Sequence, residues 1–130
     1  MRLSKSADFA ARIVVYLASE EGPHTMLCLA KKLEIPFHNL SKLVQALSKA
    51  SVIETKQGKN GGIRLAKNPD EISLKTVIDV IDGPTRLSDC LTSSKACTLT
   101  GHCRIKEKFA QIQGKIDQLF DEVKIASMVH

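Results

Sequence analysis

The chain has 130 residues, room for about one domain with a single apolar core. Apolar residues make up 43% and charged residues 25%, and no apolar run reaches the roughly 18 residues of a membrane span, which excludes an integral membrane helix. Lys and Arg outnumber Asp and Glu by 19 to 14, and the net +5 is unevenly spread: residues 1–70 carry 11 basic and 6 acidic side chains, residues 71–130 carry 8 of each. A basic head beside a neutral body suits a head that meets a polyanion, although a solubilising surface would show the same balance. The start, Met1-Arg2-Leu3-Ser4-Lys5, lacks the apolar core of a secretory signal, so a cytoplasmic location without membrane contact is expected.

The first helix is expected from Ser6 to Glu20, where Phe9, Ala10, Ile13, Val14 and Leu17 recur at helical spacing until Gly22-Pro23 stops them. Thr25 can cap a short second helix carrying Leu27, Ala30 and Leu33. Ile35-Pro36 breaks the chain and opens a third helix. It would bury Leu40, Leu43, Val44 and Leu47 and turn His38, Asn39, Ser41, Lys42 and Gln45 outward. Two short helices across a tight turn, the second polar and basic outside, form a helix-turn-helix pattern.

Next come Val52–Lys56, a turn over Gln57–Gly62 and Ile63–Ala66. Asn60-Gly61 is a strong hairpin signal, because such turns need residues that tolerate positive φ. A basic hairpin directly after the third helix is the wing of a winged helix. The fold class expected is therefore mainly α with a small β-hairpin wing. The outward residues of the third helix can donate to phosphates and base edges in the major groove. Lys56, Lys59 and Arg64 can neutralise phosphates, while Asn60, Gly61 and Gly62 shape the turn and permit close backbone approach. The partner expected is double-stranded DNA.

Ser73 can cap a fourth helix through Leu74, Val77, Ile78 and Ile81, closed by Gly83-Pro84. The last helix is expected from near Cys103 to about Ala126. Its apolar positions, Ile105, Phe109, Ile112, Ile116, Leu119 and Val123, step by 4, 3, 4, 3 and 4, close to a coiled-coil seam. Such a seam packs on its own domain or on a second copy. Two copies would read half-sites roughly 34 Å apart or a multiple of that. The expected organisation is a winged helix-turn-helix over 1–70, a connecting helix over 71–89, a cysteine loop over 90–103 and a dimerisation helix with its tail over 104–130.

Cys90, Cys97 and Cys103 crowd into 14 residues, whereas Cys28 stands between Leu27 and Leu29 as a small core residue. The close C-x2–4-C pairs usual for zinc are missing, so three thiolates on a loop could hold an iron–sulfur cluster, bind zinc or switch by thiol oxidation. His102 is a possible fourth donor. No nucleotide-cradling glycine loop, HExxH or nucleophile elbow is present, so no enzyme is expected. A protein-interaction module whose basic head binds no DNA is the other alternative.

The opening Met1-Arg2-Leu3, the helix-turn-helix, the wing Gly58-Lys59-Asn60-Gly61-Gly62-Ile63-Arg64-Leu65, the three cysteines and the long terminal helix together resemble a bacterial family. It is the family of winged-helix iron–sulfur regulators that includes IscR and NsrR. The resemblance implies homodimers on operator DNA, with terminal helices crossing between subunits. It implies a cluster held by Cys90, Cys97 and Cys103, in a [4Fe–4S] form with [2Fe–2S] as the alternative. The IscR-like branch takes a histidine three residues after the last cysteine, where this chain has Lys106. The NsrR-like branch takes an aspartate of the first helix, from the other subunit, and Asp8 matches it, with Arg12 matching an arginine near the cluster. Asp8 and Arg12 would in any case form an ordinary i, i+4 pair at a helix start. The implied function is a repressor that leaves its operator when nitric oxide nitrosylates the cluster. The alternatives are a sensor of iron, redox state or cluster supply, or a metal-free thiol switch.

Overall fold

Ser4, Thr25 and Ser73 each precede a helix, and each side-chain oxygen accepts a hydrogen bond from the N–H three residues on, that of Ala7, Cys28 and Thr76. These caps fix the starts of α1 (Lys5–Ser19), α2 (Met26–Leu33) and α4 (Leu74–Asp82). Between them lie α3 (Phe37–Lys49), β1 (Ile53–Lys56) and β2 (Gly62–Leu65), and α5 (Arg104–Glu122) follows. The computed structural model describes residues 2–91 and 103–129. Glu34 ends α2 in the left-handed region at φ 54°, and Gly83 ends α4 at φ 73°. The elements are those of a winged helix, mainly helical with one two-stranded antiparallel sheet. Among the described residues no helix is long and apolar enough to cross a membrane.

One core gathers Ala10, Ile13, Val14 and Leu17 of α1, Leu29 of α2, and Leu40, Leu43, Val44 and Leu47 of α3. Val52, Ile53 and Ile63 of the hairpin close it from one side, Val77 of α4 from another. Each of the leucine, isoleucine and valine side chains contributes about 1.5–3 kcal/mol when fully buried. Leu27 departs from expectation. It is 73% exposed, and Met26, Leu29, Ala30 and Leu33 face inward instead. That set is the i, i+3, i+4, i+7 stripe counted from the first helical residue, and Leu27 lies one residue, or about 100°, off it.

The last helix also ends sooner than its seam suggested, at Glu122 rather than near Ala126. The chain turns extended and pairs with the segment before α4. Leu74 N–H donates to the Val123 carbonyl at 2.8 Å and Ile125 N–H to the Ile72 carbonyl at 2.9 Å. Ile72 and Ile125, 1% and 0% exposed, both enter the core beside α1. Burying Ile125 and pairing two backbones outweighs another turn of exposed helix.

Candidate nucleic-acid interface and cysteine segment

Because α3 turns its four aliphatic residues inward, His38, Asn39, Lys42 and Gln45 stand exposed on its far side, with Ser41 half-buried beside them. Pro36 precedes the helix and supplies no side-chain cap, so among the described residues the amides of the first turn have no capping partner. Ser41 and Gln45 line an open groove of about 290 Å³ whose other walls are His24, Thr25 and Met26 before and at the start of α2, and Thr55, Lys56 and Gln57 of the wing. Sequence reasoning found the α3 and Lys56 sides of this groove and missed the α2 side. Only the cap signal of Thr25 marked that segment.

The hairpin pairs Glu54 with Arg64 and Lys56 with Gly62. Its turn closes through Gly61 N–H donating to the Gly58 carbonyl at 3.0 Å, with Asn60 at φ 67°. A Cβ on Gly61 would lie 2.2 Å from the Lys56 carbonyl oxygen, so only glycine fits. Gly62 makes its close approach to the protein itself: a Cβ there would meet Pro23 Cβ at 2.8 Å and the His24 carbonyl at 2.9 Å. Two backbone hydrogen bonds between His24 and Ile63, at 3.0 and 2.7 Å, pin the wing to the loop before α2. His24 in turn sets its ring edge-on to Tyr16, with centroids 5.2 Å apart.

The wing's cations are not equivalent. Arg64 Nε lies 3.4 Å from Glu54 directly across the strands. Among the described residues Lys42, Lys56 and Lys59 form no ion pair. Cys28, expected in the core, is half-buried, and its sulfur neighbours the Tyr16 hydroxyl. Partial burial first, then Cys28 and Glu20, pushes that hydroxyl above the ordinary phenol range.

Cys90 lies in a short 3₁₀ turn, Asp89–Leu91, half-buried, with its sulfur 3.3 Å from the Ser88 hydroxyl oxygen. Cys103 is the residue before α5 and its side chain makes no capping bond. Cys97 and His102 lie outside the described residues. Asp8 sits in the first turn of α1, 54% exposed, with its carboxylate 3.2 Å from Arg12 Nη2. Among the described residues no three His, Cys, Asp or Glu side chains come together as a metal site, so Asp8 does not join Cys90 and Cys103 within one chain.

The profile of the Rrf2 family, described as Iron-dependent Transcriptional regulator, matches residues 3–130. This chain belongs to the Rrf2 family. Among its relatives is the HTH-type transcriptional regulator NsrR of Shouchella clausii (strain KSM-K16), 30% identical over 99% of this chain and 89% of that protein. The NsrR of Geobacillus kaustophilus (strain HTA426) is 36% identical over 82% of this chain and 74% of that protein. Solved structures of the same fold include CymR, the global cysteine regulator of B. subtilis, at TM-score 0.80, 23% identity, and 97% and 94% of the two chains. T. potens IscR superposes at TM-score 0.75 and 22% identity, over 98% of this chain and 85% of that one.

In this Rrf2 chain the seam of α5 faces outward. Ile105 and Leu119 are 64% and 63% exposed, Phe109, Ile112 and Val123 are exposed as well, and Ile116 is half-buried. Val123 stands just past the helix end and spends its carbonyl on Leu74. The one buried residue of the helix is polar, Gln113.

Proposed function

We propose that this Rrf2 protein is a homodimeric repressor that binds double-stranded operator DNA and is released by nitric oxide acting at an iron–sulfur cluster. The observation that carries the reading is the position of Cys103. It stands at the root of α5, the helix whose apolar seam is exposed, so a cluster there adjoins the surface a second copy would cover. The NsrR relatives point to nitric oxide as effector, and the family description points to iron.

The donors fit the group. Thiolates suit iron–sulfur chemistry, and the N-terminal end of the α5 dipole favours an anionic partner beside Cys103. Cys90, Cys97 and Cys103 would hold the cluster from one chain, in a [4Fe–4S] form or else [2Fe–2S], with Asp8 of the second copy as fourth ligand and Arg12 next to it. The bound cluster supplies an iron that reacts with a diatomic gas. Asp8 ties the head of one subunit to the cysteines of the other and so fixes the separation of the two α3 helices. His38, Asn39, Ser41, Lys42 and Gln45 read the major groove, while Lys56, Lys59 and Arg64 meet phosphates on either side of the turn Asn60-Gly61-Gly62.

The first test is an anaerobic visible spectrum with iron and sulfide analysis, then titration with nitric oxide while binding to a duplex selected from a random pool is measured. A brown protein that bleaches and leaves DNA supports the reading. Bleaching by iron chelation or oxygen at intact nitric-oxide resistance supports the iron or redox sensor that the family description favours. A colourless protein that cannot be reconstituted leaves a thiol switch. Asp8→Ala should keep the fold, since an exposed i, i+4 pair contributes only about 0.3–0.5 kcal/mol. Its cluster or its gas response should weaken, and an unchanged titration removes Asp8 from the ligand set.

A further inference from the structure

α5 shows the solvent nearly every side chain it has, yet it buries an amide. Gln113 is 5% exposed, the single buried residue of the helix. A buried amide is costly unless its donors and acceptor are matched. Here Oε1 accepts from Leu87 N–H at 2.8 Å and Nε2 donates to Asp117 Oδ1 at 2.9 Å. The other oxygen of Asp117 lies 3.8 Å from Arg86 Nη1, and that same nitrogen donates to the Thr85 carbonyl at 2.7 Å. One point on α5 therefore grips two consecutive residues, Arg86 and Leu87, of the segment that leads into Cys90.

An apolar side chain would bury as much surface but would let the segment slide along the helix. A directional bond to one backbone amide does not. We infer that Gln113 is a positioning residue of the cysteine site. It sets the register at which Leu87 docks on α5, and with it the place of Cys90, three residues further on. Cys103 is fixed to the same helix by being its first flanking residue. Both cysteines are thereby referred to one rigid element, a requirement for ligands that must converge on one group. The inference rests on the cluster reading above only for what Cys90 binds, not for where it is held.

The test compares wild type with Gln113→Met, which keeps the size and removes both bonds, and with Asp117→Asn, whose amide oxygen still accepts from Gln113. In reduced, metal-free protein the alkylation rate of Cys90 is measured by mass spectrometry against Cys28 of the same molecule. After reconstitution with ferrous iron and sulfide, the rate of chromophore loss to a chelator is measured. Losing a net hydrogen bond corresponds to a factor of about two to ten, and Gln113→Met should raise both the Cys90 to Cys28 ratio and the loss rate by that factor. Asp117→Asn should stay within about twofold of wild type. If Gln113→Met only lowers the melting temperature and leaves the ratio and the loss rate alone, the positioning role is overturned. Should that variant not fold, Gln113→Leu, which likewise offers Leu87 no acceptor, is read in the same way. If wild type takes up no cluster, the cluster reading falls, and the alkylation ratio alone upholds or overturns the placement of Cys90.

Discussion

At the residue scale, Glu54 and Arg64 show how a cation on the wing can be held back. Arg64 shares its charge with a carboxylate 3.4 Å away, whereas Lys56 and Lys59 of the same hairpin make no ion pair among the described residues. An exposed pair of this kind contributes at most about 1 kcal/mol to folding. If Arg64 meets a phosphate, as proposed above, releasing it matters more for DNA, because each neutralised phosphate adds about 0.9 to the slope of log affinity against log salt. Glu54→Gln should therefore tighten binding at low salt and steepen that slope by up to about 1, as fluorescence anisotropy across a salt series would show. A flat response would mean that Arg64 touches no phosphate. The caps at Thr25 and Ser73 and the Asn60-Gly61 turn were legible in the sequence because each is local chemistry, one side chain and its own backbone neighbours. Leu27 was misjudged because a helix as short as Met26–Leu33 shows too little periodicity to fix its phase.

At the scale of the element, the heptad steps of α5 were visible and its surroundings were not. Ile105, Phe109, Ile112 and Leu119 face solvent, while Ile116 is half-buried and Val123 stands past the helix end. The bond from Gln113 to Leu87 spans 26 residues and leaves no mark on the periodicity of either segment. Nor does the hold of the loop before α2 on the wing, made by backbone groups of His24 and Ile63 that any sequence carries. Because the seam is exposed, Leu119→Lys should leave the chain folded and fall on association alone. Light scattering should show a dimer for wild type and a monomer, with weaker DNA binding, for this variant. A dimer that survives both Leu119→Lys and Ile112→Glu would place the second copy on another face. For Ile125 the expectation is reversed, since its side chain is fully buried in the head's core. Ile125→Ala should cost about 2–5 kcal/mol in a urea titration, as other large-to-small core changes do.

At the scale of the whole molecule, the winged-helix order could be read along the chain, since helix, helix-turn-helix and hairpin follow one another without long-range crossing. The closing of the chain upon itself could not. Ile72 and Ile125 lie on either side of the cysteine segment in sequence and side by side in the core, with Ile125 N–H bonded to the Ile72 carbonyl. The three-cysteine pattern was equally legible in the sequence, and of the three Cys90 and Cys103 lie among the described residues.

That return of the C-terminal segment has a practical consequence for anyone building hybrid regulators. A chimera that transplants residues 1–70 onto another family member's body would seat the foreign tail against the transplanted head, with one parent's isoleucines filling a space shaped by the other. The unit that can be exchanged intact is the head together with α4 and the tail, because Val77 of α4 closes the same core as Ile125, and the part that can be cut out and replaced is the stretch from the cysteines through α5.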